Sequence, residues 1–218
     1  CETLNRFDGF GVKGEKIGYD AEVVVKRSWN VTGQLSSGVK FHMKKNKNDV
    51  IEGCGKLDGE GKVAVETKDG KISEIAAKSI ILATSARARV IDGLEPDGKT
   101  IWTYREAMVP KAIPKSLIVV GSGAIGIEFA SFYRAFGAEV TVVEVLDRIL
   151  PVEDEEISKE AARAFKKRGI RLITGAKIDK TEKGESGAKM NVTVNGKSET
   201  LEAKVVISAV GIVGNVED

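Results

Sequence analysis

A chain of 218 residues that is 42% hydrophobic and 30% charged has room for one large domain or two small ones, and its composition is that of a globular protein. Its 34 basic residues nearly cancel its 32 acidic ones, so no strong field exists to draw nucleic acid or an anionic membrane surface. No apolar run approaches the roughly 18 residues needed to cross a bilayer, and the N-terminus lacks the charged-then-apolar layout of a signal peptide; these exclusions predict a soluble, intracellular protein.

Residues from about 20 to 46 place Val23, Val24, Val31, Leu35, Val39 and Met43 close to helical spacing, which predicts an amphipathic helix. Asp20 suits its N-cap, and the cluster Lys44-Lys45-Asn46-Lys47 suits the carbonyl end of its dipole. Short strands are predicted at Val50–Ile51, Lys62–Glu66 and Ile72–Ala76, with turns at Gly59-Glu60-Gly61 and Lys68-Asp69-Gly70, making a β-meander. The continuous apolar run Ser79–Thr84 has the character of a buried strand. Pro110 and Pro114 then bracket a stretch that cannot continue a helix, so a domain boundary is placed there, giving units 1–109 and 110–218.

Beyond it, strand 116–121, helix 124–136, strand 139–144, helix 154–168 and strand 171–174 alternate, followed by short strands near 177–182, 189–195 and 199–203 and a last strand at 205–210. Strand–helix–strand alternation predicts a parallel sheet with right-handed crossovers. Cys1 and Cys54 are far apart in sequence and form no metal or redox pattern, and His42, the one histidine, sits among lysines at the expected helix end. Neither points to catalysis.

The chemistry lies in Val-Gly-Ser-Gly-Ala-Ile-Gly at 120–126. A lone glycine-rich hexapeptide is weak, but here a buried strand precedes it and a helix follows. Gly121 permits the turn, Gly123 lets the backbone approach a pyrophosphate without a Cβ in the way, and Gly126 lets helix and strand pack closely. The helix N-terminus directs free N–H groups at the phosphates. Glu144 ends the next strand where a ribose diol would be held; it repels a 2′-phosphate, and Val145 offers no cation to receive one, so NAD is favoured over NADP despite Arg148. The expected fold class is α/β, a Rossmann-type NAD-binding domain preceded by a helix and a β-meander. In the bland alternative the glycines only build a doubly wound sheet and Glu144 is a solvated strand end. Glu128, early in the helix, either complements the dipole or pairs with a cation near a nicotinamide.

The run from Gly121 to Val145, then Arg148-Ile149-Leu150-Pro151-Val152-Glu153-Asp154, resembles the dihydrolipoamide dehydrogenase family of the pyridine nucleotide-disulfide oxidoreductases. The similarity extends to Val24–Ser28, Met43–Lys47, Gly93–Gly98 and Ile207–Glu217. It implies a flavoprotein oxidising dihydrolipoyl groups of the 2-oxoacid dehydrogenase and glycine cleavage complexes, with electrons passing through a cysteine pair to FAD and then to NAD. It also implies a homodimer, cytoplasmic or, in a eukaryote, in the mitochondrial matrix. Position by position, it implies NAD contacts at Gly121, Ser122, Gly123, Ala124, Ile125, Gly126, Glu144, Val145 and Gly211, with Glu128 pairing with a lysine near the flavin. FAD contacts are implied at Gly55, Thr84, Ser85 and Ala86.

The family's first GxGxxG, its CxxxxC pair, its His-Glu base pair and its dimerisation domain are absent from these 218 residues. The chain also starts at Cys1 and stops just after a hydrophobic strand, so it is read as a central fragment, catalytically silent alone. Where the family has Ala-Thr-Gly, this chain has Ala83-Thr84-Ser85, which puts a side chain where the backbone is expected to approach FAD closely. Two alternatives stay open: another NAD-linked disulfide reductase such as an NADH oxidase, and a non-catalytic NAD-binding module.

Overall fold

The computed structural model describes residues 18–217, so Cys1 lies outside the described residues. It divides into two compact units, one of residues up to Lys26 with Ala88–Val213, the other of Arg27–Arg87 with the residues from Gly214 onward.

Helix α1 (Ala21–Lys45) begins in the first of these and runs on in the second. The Asp20 carboxylate accepts the Val23 amide at 3.1 Å, and His42, Lys44 and Lys45 occupy the last turn, where cations offset the carbonyl dipoles. The helix forms as expected, yet no residue of it is buried and Leu35 is 68% exposed. The strands β1 (Cys54–Leu57), β2 (Lys62–Glu66) and β3 (Ile72–Ala76) make an antiparallel meander with its turns at the two expected glycine-bearing corners.

Two expectations for this unit fail. Val50–Ile51 is not a strand, because the ladder begins only where Cys54 meets Glu66. Ser79–Thr84 is not a buried strand, and Ile81 is 91% exposed. An apolar run becomes a strand only where a neighbour takes up its N–H and C=O groups, and the meander pairs within its own three strands.

The other unit is a layered α/β structure. The chain enters it through β4 (Ala86–Ala88) and continues as β5 (Ile101–Trp102) and α2 (Tyr104–Met108), a single turn closed by a capping box between Thr103 and Glu106. There follow β6 (Ser116–Val120), α3 (Ala124–Ala135), β7 (Glu139–Val143), α4 (Glu155–Lys167) and β8 (Arg171–Ile173). An antiparallel run of β9 (Ala176–Gly184), β10 (Gly187–Val194) and β11 (Lys197–Ala203) leads to β12 (Val205–Ser208), and β13 (Ile212–Gly214) carries the chain out.

The parallel sheet has the order β5-β12-β6-β7-β8. Its strands alternate between two cores, as a two-residue period requires. Leu117, Val119 and Ile207 pack with Ile127 and Tyr133 on the helical side, whereas Ile118, Val120 and Val206 pack with Met190 and Val192 of the antiparallel sheet. Each such side chain removed from water contributes about 1.5–3 kcal/mol. The α/β, Rossmann-type expectation holds, with a β-sheet rather than a second helical layer covering one face. The compact units do not divide at 109/110: Ile101 pairs with Val206, and Leu94 and Ala107 are buried in the two cores, so residues 88–109 pack with the sheet and helices of the later chain.

Candidate functional site

At the end of β6 the chain must turn sharply. Gly121 has φ +96°, its N–H donates to the Val143 carbonyl at 2.9 Å, and a Cβ there would lie 2.3 Å from the Ala209 carbonyl oxygen. Gly126 is as constrained, since its Cβ would stand 2.0 Å from the Gly121 carbonyl oxygen. Both are glycines because the chain itself leaves no room for anything else.

Gly123 is different. Its φ of −64° is open to any residue, and among the described residues nothing lies within 4 Å of where its Cβ would be. It is the N-cap of α3, no side chain caps the helix, and no acid occupies the first turn. The first-turn N–H groups therefore carry the positive end of the dipole without an internal partner.

Gly123, at that helix end, borders a cleft of about 650 Å³ at the carboxyl ends of β6, β7 and β12, within the size range of small-molecule sites. The chain leaves β6 for β7 on one side while β12 lies on the other, so the cleft is at the switch point of the sheet. Its walls are apolar, with Val120, Pro151, Val152, Ile178 and Val210 prominent, and Glu144 and Lys177 are its charged residues. Lys177 is 3.3 Å from Asp179.

Glu144 is 6% exposed. Its Oε2 accepts the Ser122 amide at 2.8 Å and the Ser122 hydroxyl at 2.6 Å, and its Oε1 accepts the Leu146 amide at 3.0 Å. A carboxylate oxygen has two acceptor sites, so Oε1 keeps one in reserve. Arg148, the cation that follows Glu144 in sequence, donates to the Pro151 carbonyl at 3.1 Å.

Of the residues expected at this site, Gly121, Ser122, Gly123, Glu144, Val145 and Gly211 line the cleft together. Ala124, Ile125 and Glu128 are exposed on α3, Gly126 is buried beneath the turn, and the Glu128 side chain makes no hydrogen bond or ion pair among the described residues. Sequence reasoning missed Ile91, Lys177, Ile178 and Val210 as lining residues. They come from connections and from the start of β9, and carried no motif that could have marked them.

The residues expected to touch FAD lie in the other unit. The Thr84 hydroxyl donates to the Asn215 carbonyl, Asn215 returns its side-chain amide to the Thr84 carbonyl at 2.9 Å, and its backbone N–H reaches the Ser85 carbonyl at 3.1 Å. Arg87 donates to the Asn215 side-chain oxygen at 2.9 Å and forms an ion pair with Glu217. The guanidinium's hydrogen bonds hold the Glu217 carboxyl down to about 2. Ser85 has φ +65°, a left-handed backbone where glycine is at ease and serine is not. Gly55 stands in β1 opposite Val65, and no hydrogen bond joins it to this corner among the described residues.

Cys54 is a free, exposed thiol, and His42 is exposed at the end of α1. Among the described residues no group of three His, Cys, Asp or Glu side chains could hold a metal ion. None of the described helices is long and apolar enough to cross a membrane.

Residues 8–218 match the family model of pyridine nucleotide-disulphide oxidoreductases. A dihydrolipoyl dehydrogenase of Rhizobium etli is 48% identical over all of this chain and 48% of its own length. One from Zymomonas mobilis is 45% identical over 99% of the chain and 46% of its own. The chain thus spans about half the length of the curated relatives it matches. The crystal structure of LpdA from Mycobacterium tuberculosis superposes with a TM-score of 0.87 at 28% identity, covering 99% of this chain and 47% of that one. A flavoprotein disulfide reductase, RclA of Escherichia coli, has the same fold, with a TM-score of 0.74 at 24% identity over 91% of this chain and 44% of that one.

Proposed function

The chain belongs to the pyridine nucleotide-disulphide oxidoreductase family, and on that premise we propose that it is the nucleotide-binding stretch of a dihydrolipoyl dehydrogenase. NAD occupies the cleft at the switch point. Its diphosphate lies against Gly121, Gly123 and the N–H groups of Ala124, Ile125 and Gly126, and its adenosine ribose takes the free acceptor site of Glu144. Ser122, Val145 and Gly211 complete the wall, and Glu128 lies toward the nicotinamide. When bound, NAD accepts the electrons that the parent enzyme draws from dihydrolipoyl groups through a disulfide and FAD. Residues 110–218, with the segment 88–109 that packs against them, carry the nucleotide function, and the flavin side lies earlier in the chain, with contacts at Gly55, Thr84, Ser85 and Ala86. The whole protein works as a cytoplasmic or mitochondrial homodimer serving the dihydrolipoyl domains of 2-oxoacid dehydrogenase or glycine cleavage complexes.

The observation that carries the nucleotide assignment is the empty space beside Gly123. Gly121 and Gly126 answer to internal crowding, but no atom among the described residues accounts for a glycine at 123. A ligand backbone approaching the uncapped end of α3 does, and the residues present suit a dinucleotide diphosphate. The flavin corner suits its ligand less well, because Ser85 adds a side chain and the polar atoms of Thr84 are already engaged by Asn215.

Titrating the purified chain with NADH and following nucleotide fluorescence tests this directly, with the flavin absorbance of the same preparation as the second readout. Saturable NADH binding in a colourless chain is expected. Absence of NADH binding overturns the assignment, and a yellow preparation that oxidises dihydrolipoamide overturns the view that this stretch alone is inactive.

A further inference from the structure

Ser122 was expected to touch the nucleotide, yet its side chain has no exposed surface and its hydroxyl is spent on Glu144 at 2.6 Å. Its backbone N–H goes to the same carboxylate oxygen at 2.8 Å, and the Leu146 N–H holds the other oxygen at 3.0 Å. Three donors from two directions thus fix both the position and the plane of the carboxylate before any ligand arrives. Two of these donors are backbone amides that any residue supplies; the hydroxyl is the part that belongs to serine.

From this geometry we infer that Ser122 is a positioning residue that sets the selectivity of the cleft for an unphosphorylated adenosine ribose, acting only through Glu144. The inference rests on the nucleotide reading of the cleft. A carboxylate held rigidly offers one fixed acceptor site to a ribose diol, so little side-chain freedom is lost on binding. The same rigidity works against a 2′-phosphate, which meets a negative charge that cannot swing aside. Without the hydroxyl, Oε2 keeps one donor instead of two and the side chain gains freedom to turn. The diol then loses part of its partner, and the 2′-phosphate loses part of its obstacle.

NADH and NADPH affinities are to be measured by fluorescence titration for the wild-type chain, Ser122→Ala, Glu144→Ala and the double variant, with far-UV circular dichroism as the check on folding. Ser122→Gly, which removes the same hydroxyl, is made in parallel in case the alanine variant does not fold. In the wild-type background, Ser122→Ala is expected to weaken NADH about tenfold, the scale of one hydrogen bond to a charged group. NADPH should weaken less than that or gain, so discrimination between the two narrows. In the Glu144→Ala background the serine change should make no further difference, because a residue acting through Glu144 has nothing left to act on. A merely structural role would weaken both nucleotides alike and in both backgrounds, and that result overturns the inference. So does a Ser122→Ala chain that binds NADH as the wild type does. A wild-type chain that takes up no NADH removes the nucleotide reading itself and this inference with it, an outcome told apart from the others by the first titration.

Discussion

A Cβ on Gly126 would lie 2.0 Å from the carbonyl oxygen of Gly121, so helix α3 and the turn after β6 are in contact through bare backbone. Three residues earlier, at Gly123, the same construction meets nothing. The pair predicts a separation of effects. Gly126→Ala should destabilise the unit by about 1–3 kcal/mol or more, since strand and helix must move apart, read as a lowered denaturant midpoint. Gly123→Val should leave the circular dichroism spectrum intact and abolish NADH binding. If the valine variant keeps its NADH affinity, the phosphates sit elsewhere.

Glu144→Ala is expected to weaken NADH by about 1–3 kcal/mol, the loss of a hydrogen bond involving a charged group. The change also removes the acceptor for the Ser122 hydroxyl and amide, so the variant's thermal midpoint should be compared alongside. An unchanged NADH titration would place the ribose away from this carboxylate.

Ser85 holds φ +65°, a left-handed backbone conformation that favours glycine. A left-handed backbone costs a non-glycine residue about 1–2 kcal/mol, partly offset by the entropy glycine loses on folding. Ser85→Gly should therefore stabilise its unit by up to about 1 kcal/mol, and Ser85→Val should destabilise it. Urea midpoints that do not order as Gly above Ser above Val would show that the corner relaxes around its side chain.

Glu217 is held down to about 2 by the hydrogen bonds of Arg87, against an ordinary value of 4.5. Because its folded value is depressed, the contribution of this ion pair is fully present above about 4.5 and is lost as pH falls toward 2. Both side chains are well exposed, so salt should weaken the pair. Carboxyl titration followed by NMR should find Glu217 near the low end of this window in the wild type and higher in Arg87→Ala, where only backbone amides still lower it. A Glu217 that titrates at the same pH in both chains would mean the tail is held by Asn215 alone.

The parts of the fold that could be read from sequence are those where local pattern and tertiary partner agree. Leu117-Ile118-Val119-Val120 is apolar on both faces because both faces are covered, and the glycines that follow announce the turn. Ile80-Ile81-Leu82 has the same local pattern, and no strand pairs with it, so composition alone misassigned it. Ile101–Trp102 is too short for any period to register. For the cleft, Gly121, Gly123 and Glu144 were legible because each carries a local reason to be there. The bond from Ser122 to Glu144 was not legible in the same way, because it depends on how β7 lies beside β6.

Strand β12 lies between β5 and β6, pairing Val206 with both Ile101 and Ile118. The ribosome delivers β5 early and β12 late, so the sheet is made with a gap in its middle. Until residues 205–208 emerge, Ile101 and Trp102 have no neighbour to join, and the floor of the cleft lacks Ala209 and Val210. A chain stopped after Lys204 should thus show Trp102 fluorescing as in water, whereas docking without β12 would leave its emission unchanged. On the proposed reading, a nascent polypeptide completes its nucleotide cleft in one late step, when a single short segment slides into place.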